Sequence, residues 1–204
     1  MIVYTKETQS ELSPDQALDL LKEGNRRFLA NTRADRDLGA QVTATSLGQY
    51  PFAAVLGCID SRVPVETVFD QGIGDIFTAR VAGNIVNEDI LGSLEYACKV
   101  AGSKLIFVLG HSKCGAVPAA CQGVELGNIT PLLSKVKPAV NAVLTEGQDL
   151  DDASIEAVTK ENITVSVKTI RERSAILDEM ATNGEIHIIG AYYDVATGGV
   201  SFFE

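Results

Sequence analysis

The sequence predicts an α/β fold: a mostly parallel central sheet flanked by helices, with an N-terminal helical arm and a C-terminal hairpin strand. Three observations carry this. Of two short apolar runs, Phe52 to Gly57 has the length of a buried strand, and Lys104 to Gly110, nearly all apolar, has the pattern of a parallel strand covered on both faces. Helical periodicities lie between and after them, the alternation that βαβ units produce. Near the end, Glu185 to Tyr192 and Gly199 to Phe203 flank Thr197-Gly198-Gly199, a turn signal that closes a hairpin.

Each element has a local reason. Ser13-Pro14-Asp15-Gln16 joins a capping box to a proline at the first helical position, and Leu18, Leu21 and Phe28 recur on one face, which predicts a helix from Pro14 to about Leu29. A weaker helical segment runs from Asp37 to about Leu47. These make a helical arm over residues 1–50 ahead of an α/β core over residues 51–204, the whole read as one domain. Asp75 to Val81 is a further strand candidate, with Gly72-Ile73-Gly74 before it as a turn. Glu88 to Ala101 is helical, capped by Asn87 and stopped by Gly102. Helices are expected at Gly115 to Gln122, at Thr130 to Leu144 with Pro138 as an interruption, and over a long stretch from about Ala153 to Thr182 closed by Gly184.

Composition narrows the function. With 17 basic against 27 acidic residues the formal charge is -10, which leaves no basic surface of the kind a phosphate backbone needs, so no nucleic-acid partner is expected. No stretch approaches the ~18 apolar residues of a membrane span, and Met1 to Ser10 has neither a basic start nor an apolar run. A cytoplasmic location and no membrane partner are the expectations. Four cysteines are too few for a disulfide scaffold in a chain of 204 residues, so they read as ligands or buried thiols.

The informative pattern is Cys58-Ile59-Asp60-Ser61-Arg62, followed about fifty residues later by His111-Ser112-Lys113-Cys114. Each half directly follows an apolar strand. In a doubly wound sheet the carboxyl ends of neighbouring parallel strands meet at one crevice, so Cys58 can meet His111 and Cys114 there. Alternation along an extended segment lets Asp60 project with Cys58. Two thiolates and an imidazole are a soft, near-tetrahedral donor set suited to Zn2+, and three protein ligands with a fourth position free is the catalytic pattern. Cys98 and Cys121 fall inside helical patterns and read as buried thiols, and His187 as a packed or half-exposed strand residue.

The segments GCIDSRVP and GHSKCGA resemble the zinc signature of β-class carbonic anhydrases, and the similarity extends over most of the chain. The resemblance implies reversible hydration of carbon dioxide to bicarbonate and a proton, with zinc held by Cys58, His111 and Cys114, and with Asp60 and Arg62 as the catalytic pair. It also implies a closed state in which Asp60 becomes a fourth ligand. Gln49, Phe77, Tyr96 and Gly115 match substrate-pocket positions of one subgroup, Gly115 through a backbone N–H that faces the bound anion. Two positions depart from known patterns: Val55 stands where the subgroup with a second, inhibitory bicarbonate site has tryptophan, and Ala82 is smaller than the usual valine. The resemblance further implies a homodimer or homotetramer in which the arm lies across a partner and each pocket is partly supplied by its neighbour. Competing readings are hydrolysis of a carbon dioxide analogue, carbonyl sulfide or carbon disulfide, on the same fold, and a structural zinc holding a binding module together.

Overall fold

The computed structural model describes residues 3–145, 147 and 149–203. Its strands are β1 (Ala53–Gly57), β2 (Ile76–Arg80), β3 (Leu105–His111), β4 (His187–Tyr193) and β5 (Val200–Phe202), joined in one sheet of order β2-β1-β3-β4-β5. The first four are parallel and β5 is antiparallel on β4, as the hairpin signal requires. All residues of β1 and β3 are buried, which is why both read as continuous apolar runs rather than alternating ones.

Alternate residues of these strands feed two layers. Val55 and Phe107 pack with Phe69 and with Ala17 and Leu21, while Ala54, Leu56, Ile106 and Val108 pack with Leu94, Ile163, Ile170 and Leu177 on the other face. The first layer is covered by α2 (Pro14–Leu29) of the arm, which also contains α1 (Lys6–Ser10) and α3 (Leu38–Thr45). The capping box at Ser13 and Gln16 forms, and Asp37 caps α3 through the Ala40 N–H. The short helix α1, capped by Thr5, and α4 (Val65–Val68) were not legible, because a helix of one turn has too few residues to show a period.

The second layer comprises α5 (Glu88–Glu95), which runs on into a π-helical turn at Tyr96–Val100, and α9 (Asp152–Arg173) with α10 (Ala175–Thr182). One helix was expected from Ala153 to Thr182, but it breaks at Ser174. That residue leaves helical backbone, ends α9, and accepts the Leu177 N–H to cap α10. A capping hydroxyl outcompetes continuity where the chain has to turn. Likewise the stretch Thr130 to Leu144 is two helices, α7 (Ile129–Leu133) and α8 (Lys137–Val143), because Pro138 sits in the first turn of α8, where its missing N–H costs nothing. With α6 (Ala116–Cys121) they enclose a third apolar cluster containing Cys58 and Cys114.

Two devices fix the arm and the helix layer relative to the strand ends. Asp70, a buried residue with φ of 46°, is gripped by Arg27 Nε at 2.5 Å, Arg36 Nη1 at 2.6 Å and the Ala34 N–H at 3.1 Å, while Arg36 also donates to the Asp70 carbonyl. On the opposite face α9 lies so close to β3 that a Cβ on Gly110 would stand 2.5 Å from Ile163. Glycine is therefore needed beside His111 for the helix to seat.

Burial opposes ionisation of Asp70, and the hydrogen bonds from Arg27, Ala34 and Arg36 overcome it, holding the carboxyl below its ordinary value. Asp70→Ala removes charge-assisted bonds from both arginines and should cost roughly 2–3 kcal/mol. For a chain of this size that is a fall in Tm of roughly 5–10 °C, read by thermal unfolding.

Candidate metal centre

Strand β1 is followed by β2 on one side and flanked by β3 on the other, so the chain reverses direction across the sheet at β1 and β3. The carboxyl ends of such a pair form the crevice where α/β sheets bind ligands. Cys58 leaves the end of β1, His111 is the last residue of β3, and Cys114 follows after a tight loop in which Lys113 takes φ of 55°. The structure brings the three together: one donor atom from each lies within 4.8 Å of the others, and all three residues are buried. Among the described residues this is the only such cluster of metal-ligating side chains.

The chemistry of the donors fits a cation. His111 is 0% exposed and its Nδ1 lies 2.9 Å from the Ser112 carbonyl, which can only accept, so Nδ1 carries the hydrogen of that bond. In the neutral ring this leaves the Nε2 lone pair, and Nε2 has no hydrogen-bond partner although it is buried. A buried imidazole nitrogen without a partner carries a desolvation cost that a metal removes. The Cys58 thiol is pulled down to about 4, first by the neighbouring Cys114 thiol and, against desolvation, by the nearby His111 imidazole and by backbone N–H groups. The same contact between the thiols, with burial and the Cys58 charge, pushes the Cys114 thiol up. A divalent cation seated between the two sulfurs would favour the thiolate form of both.

Asp60 stands outside the ligand set. Its carboxylate takes a forked pair from Arg62, with Nε to Oδ1 at 2.9 Å and Nη2 to Oδ2 at 2.7 Å, and also accepts the Arg62 N–H at 2.9 Å. Arg62 in turn donates to the Lys113 carbonyl at 3.1 Å, tying the two halves of the motif together. The second Asp60 oxygen lies 4.0 Å from His111 Nε2. The Arg62 bonds, opposed by partial burial, hold the Asp60 carboxyl down at about 2.

The first strand-end segment has a support that sequence reasoning missed. Arg80, the last residue of β2, donates to the carbonyls of Cys58 at 2.8 Å and Asp60 at 2.6 Å. The Gly83 N–H, in a 3-10 turn at Ala82–Asn84, points at the Cys58 sulfur, 3.4 Å away. The only sequence signal was an arginine at the carboxyl end of a strand with no acidic neighbour.

A family model described as carbonic anhydrase matches residues 53–200. The chain belongs to the β-class carbonic anhydrase family. It is 34% identical over 192 residues to carbonic anhydrase 2 of Mycobacterium tuberculosis, covering 91% of each chain, and 33% identical over 190 residues to a carbonic anhydrase of Mycolicibacterium smegmatis, covering 92% of each. Among solved structures it resembles the β-carbonic anhydrase CafA of Aspergillus fumigatus, with a TM-score of 0.73, 27% identity and coverage of 93% of this chain and 90% of that one.

Of the other sequence-derived site residues, Gly115 adjoins the cluster, whereas Gln49, Phe77 and Tyr96 do not gather at the cluster of the same chain. Phe77 pairs in register with Ala54, four residues before Cys58 along β1, which is roughly 13 Å at about 3.3 Å per residue. Phe77 and Tyr96 meet edge to face, ring centroids 6.2 Å apart, in a groove of about 640 Å³ that also contains Ala54 and Asp89 but none of the three ligands. Gln49 is exposed and lines an adjoining groove of about 610 Å³ with Tyr50, Tyr96 and Val100. Gly115 opens α6 directly after Cys114, with open space around it. Cys98 is buried, its thiol pushed up by desolvation to about 12, whereas Cys121 is only half-buried. His187 begins β4, half-exposed, 3.6 Å from Asp15.

Elemental analysis of the purified chain should find one divalent metal per chain. Cys58→Ala and His111→Ala should each abolish stoichiometric binding while the far-ultraviolet circular dichroism stays that of the parent, because neither side chain belongs to the two apolar layers that cover the faces of the sheet.

Proposed function

We propose that the chain catalyses the reversible hydration of carbon dioxide to bicarbonate and a proton, with Zn2+ held by Cys58, His111 and Cys114. The observation that carries this reading is the buried, partnerless His111 Nε2 facing two sulfurs, with an ionised carboxylate clamped beside it. A zinc ion bound there acidifies water and so supplies a nucleophile for carbon dioxide near neutral pH. Two thiolates donate more charge than imidazoles do, which places activity toward alkaline conditions.

Asp60 accepts a hydrogen bond from the attacking water and aims its lone pair at the substrate carbon. It can do so because Arg62 fixes both carboxylate oxygens and keeps the group ionised. The sign follows from the depressed value: the pair is intact above the ordinary carboxylate value of 3.8 and is lost only as pH falls through about 2. Titration of Asp60 therefore does not shape the pH profile near neutrality. Without Arg62 the carboxylate is free to close on the ligand cluster as a fourth ligand and block it.

The pocket is completed by a second copy. Gln49, Phe77 and Tyr96 lie together on a surface that also exposes Val100, and the arm exposes Leu38, Val42 and Leu47. An unpartnered apolar face of this kind on both arm and groove favours a partner subunit that carries these residues to its neighbour's metal cluster. The solved relatives include β-carbonic anhydrases of Sordaria macrospora described as tetrameric. Residues 1–50 then act as the arm of a single functional unit spanning residues 1–204.

Stopped-flow hydration assays test the reading. Asp60→Asn should keep its zinc and lose roughly 100-fold or more in kcat/KM, since an amide gives neither the charged acceptor nor the Arg62 pair. Arg62→Ala should lose most activity below neutrality and recover part of it as pH rises. Wild-type turnover in Asp60→Asn, or sulfide release from carbonyl sulfide without hydration of carbon dioxide, would contradict the proposal. A mixture of inactive Gln49→Ala/Phe77→Ala and inactive Asp60→Asn chains should regain activity on subunit exchange, because each hybrid interface contains one intact pocket; no recovery despite exchange would place those residues outside the site.

A further inference from the structure

We infer that Asn162 and Ser166 of α9 are positioning residues for the metal centre, acting through the 3-10 turn at Ala82–Asn84 to fix the hydrogen bond that Gly83 donates to the Cys58 sulfur. The inference rests on the metal-binding reading of the Cys58–His111–Cys114 cluster. Asn162 is 1% exposed and Ser166 4%, and both sit one helical turn apart on the face of α9 that meets the sheet. A buried amide and a buried hydroxyl on a helix that packs against strands need partners. Both find them in the same turn: Asn162 Nδ2 donates to the Gly83 carbonyl at 2.9 Å, and Ser166 Oγ donates to the Asn84 carbonyl at 3.2 Å.

That turn is unusual in a way the clamp explains. Gly83 and Asn84 both have left-handed backbone, φ of 68° and 43°. Glycine adopts this freely and asparagine tolerates it, but two in succession persist only when the surroundings over-determine them. The consequence is a peptide orientation that turns the Gly83 N–H toward the Cys58 sulfur at 3.4 Å. A Cβ at Gly83 would stand 3.2 Å from Ala116, so the turn is also pressed against the start of α6, just after Cys114. The chain of contacts therefore runs from α9 through the turn to one ligand atom.

An N–H directed at a thiolate lowers the energy of its sulfur lone pairs and orients them. Thiolate donor strength sets how far a bound metal acts as a Lewis acid, and partners of a ligand that fix its orientation commonly change metal affinity by about 10- to 100-fold. Two small polar residues on a distant helix thereby tune the centre without touching metal or substrate.

Cobalt(II) replaces the native ion as a spectroscopic probe, because its sulfur-to-metal charge-transfer band in the near ultraviolet reports the energy of the thiolate lone pairs. In Asn162→Ala the Gly83 carbonyl loses its partner, the N–H swings from the sulfur, and the band should move to longer wavelength, with Co2+ affinity falling roughly 10-fold or more. Ser166→Ala, which removes the longer bond, should move the band in the same direction by less. If Asn162→Ala does not fold, the Ser166→Ala spectrum decides. A band unmoved from the parent's, whatever the loss of thermal stability, assigns the two residues to packing and overturns the inference. A parent protein that shows no thiolate band with Co2+ would instead sink the metal reading itself, so the two failures are distinguishable.

Discussion

The structure depends on crowding three metal-binding donor atoms within 4.8 Å of one another in a buried crevice. Removed from water, two thiols and an imidazole have no good arrangement of their own. The two sulfurs push each other's thiols in opposite directions, Cys58 down and Cys114 up, and the imidazole nitrogen is left without a partner. Only a rigid frame keeps such groups together before a cation arrives. The frame is the parallel pair β1 and β3, whose every residue is buried and whose carboxyl ends present Cys58 and His111 side by side.

The surrounding polar groups extend that preorganisation. Arg62 bridges from the Asp60 carboxylate to the Lys113 carbonyl, so the loop bearing Cys114 and the strand end bearing Cys58 share one guanidinium. Arg80 holds the same strand end through two backbone carbonyls. Such bonds are charge-assisted, and the forked Arg62–Asp60 pair fixes orientation as well as charge. The result is a carboxylate fixed close to the ligand cluster but not within it, which is what a hydrogen-bond acceptor for an attacking water requires.

Much of this was legible in the sequence, for physical reasons. Phe52 to Gly57 and Lys104 to Gly110 announce buried strands because both of their faces are covered, and the motif residues directly follow them. The helix from Pro14 to Leu29 is visible because its cap and its apolar stripe agree. What the sequence hides is decided by tertiary contact: the break at Ser174, the one-turn helices α1 and α4, and the role of Arg80, whose partners are backbone carbonyls with no side-chain signature. Gln49, Phe77 and Tyr96 are a different case. Their positions resemble a substrate pocket, yet strand register sets Phe77 opposite Ala54 and away from the cluster of its own chain, which is why the proposed pocket calls for a second copy.

In the proposed reaction, hydration of carbon dioxide depends on a metal seated in the Cys58–His111–Cys114 cluster. Titrating Zn2+ into chelator-stripped protein, with initial hydration rate and bound metal measured on the same samples, tests it most directly. The rate should rise in proportion to bound zinc and saturate at one ion per chain. Full hydration activity in the stripped protein, or none at one zinc per chain, would contradict it.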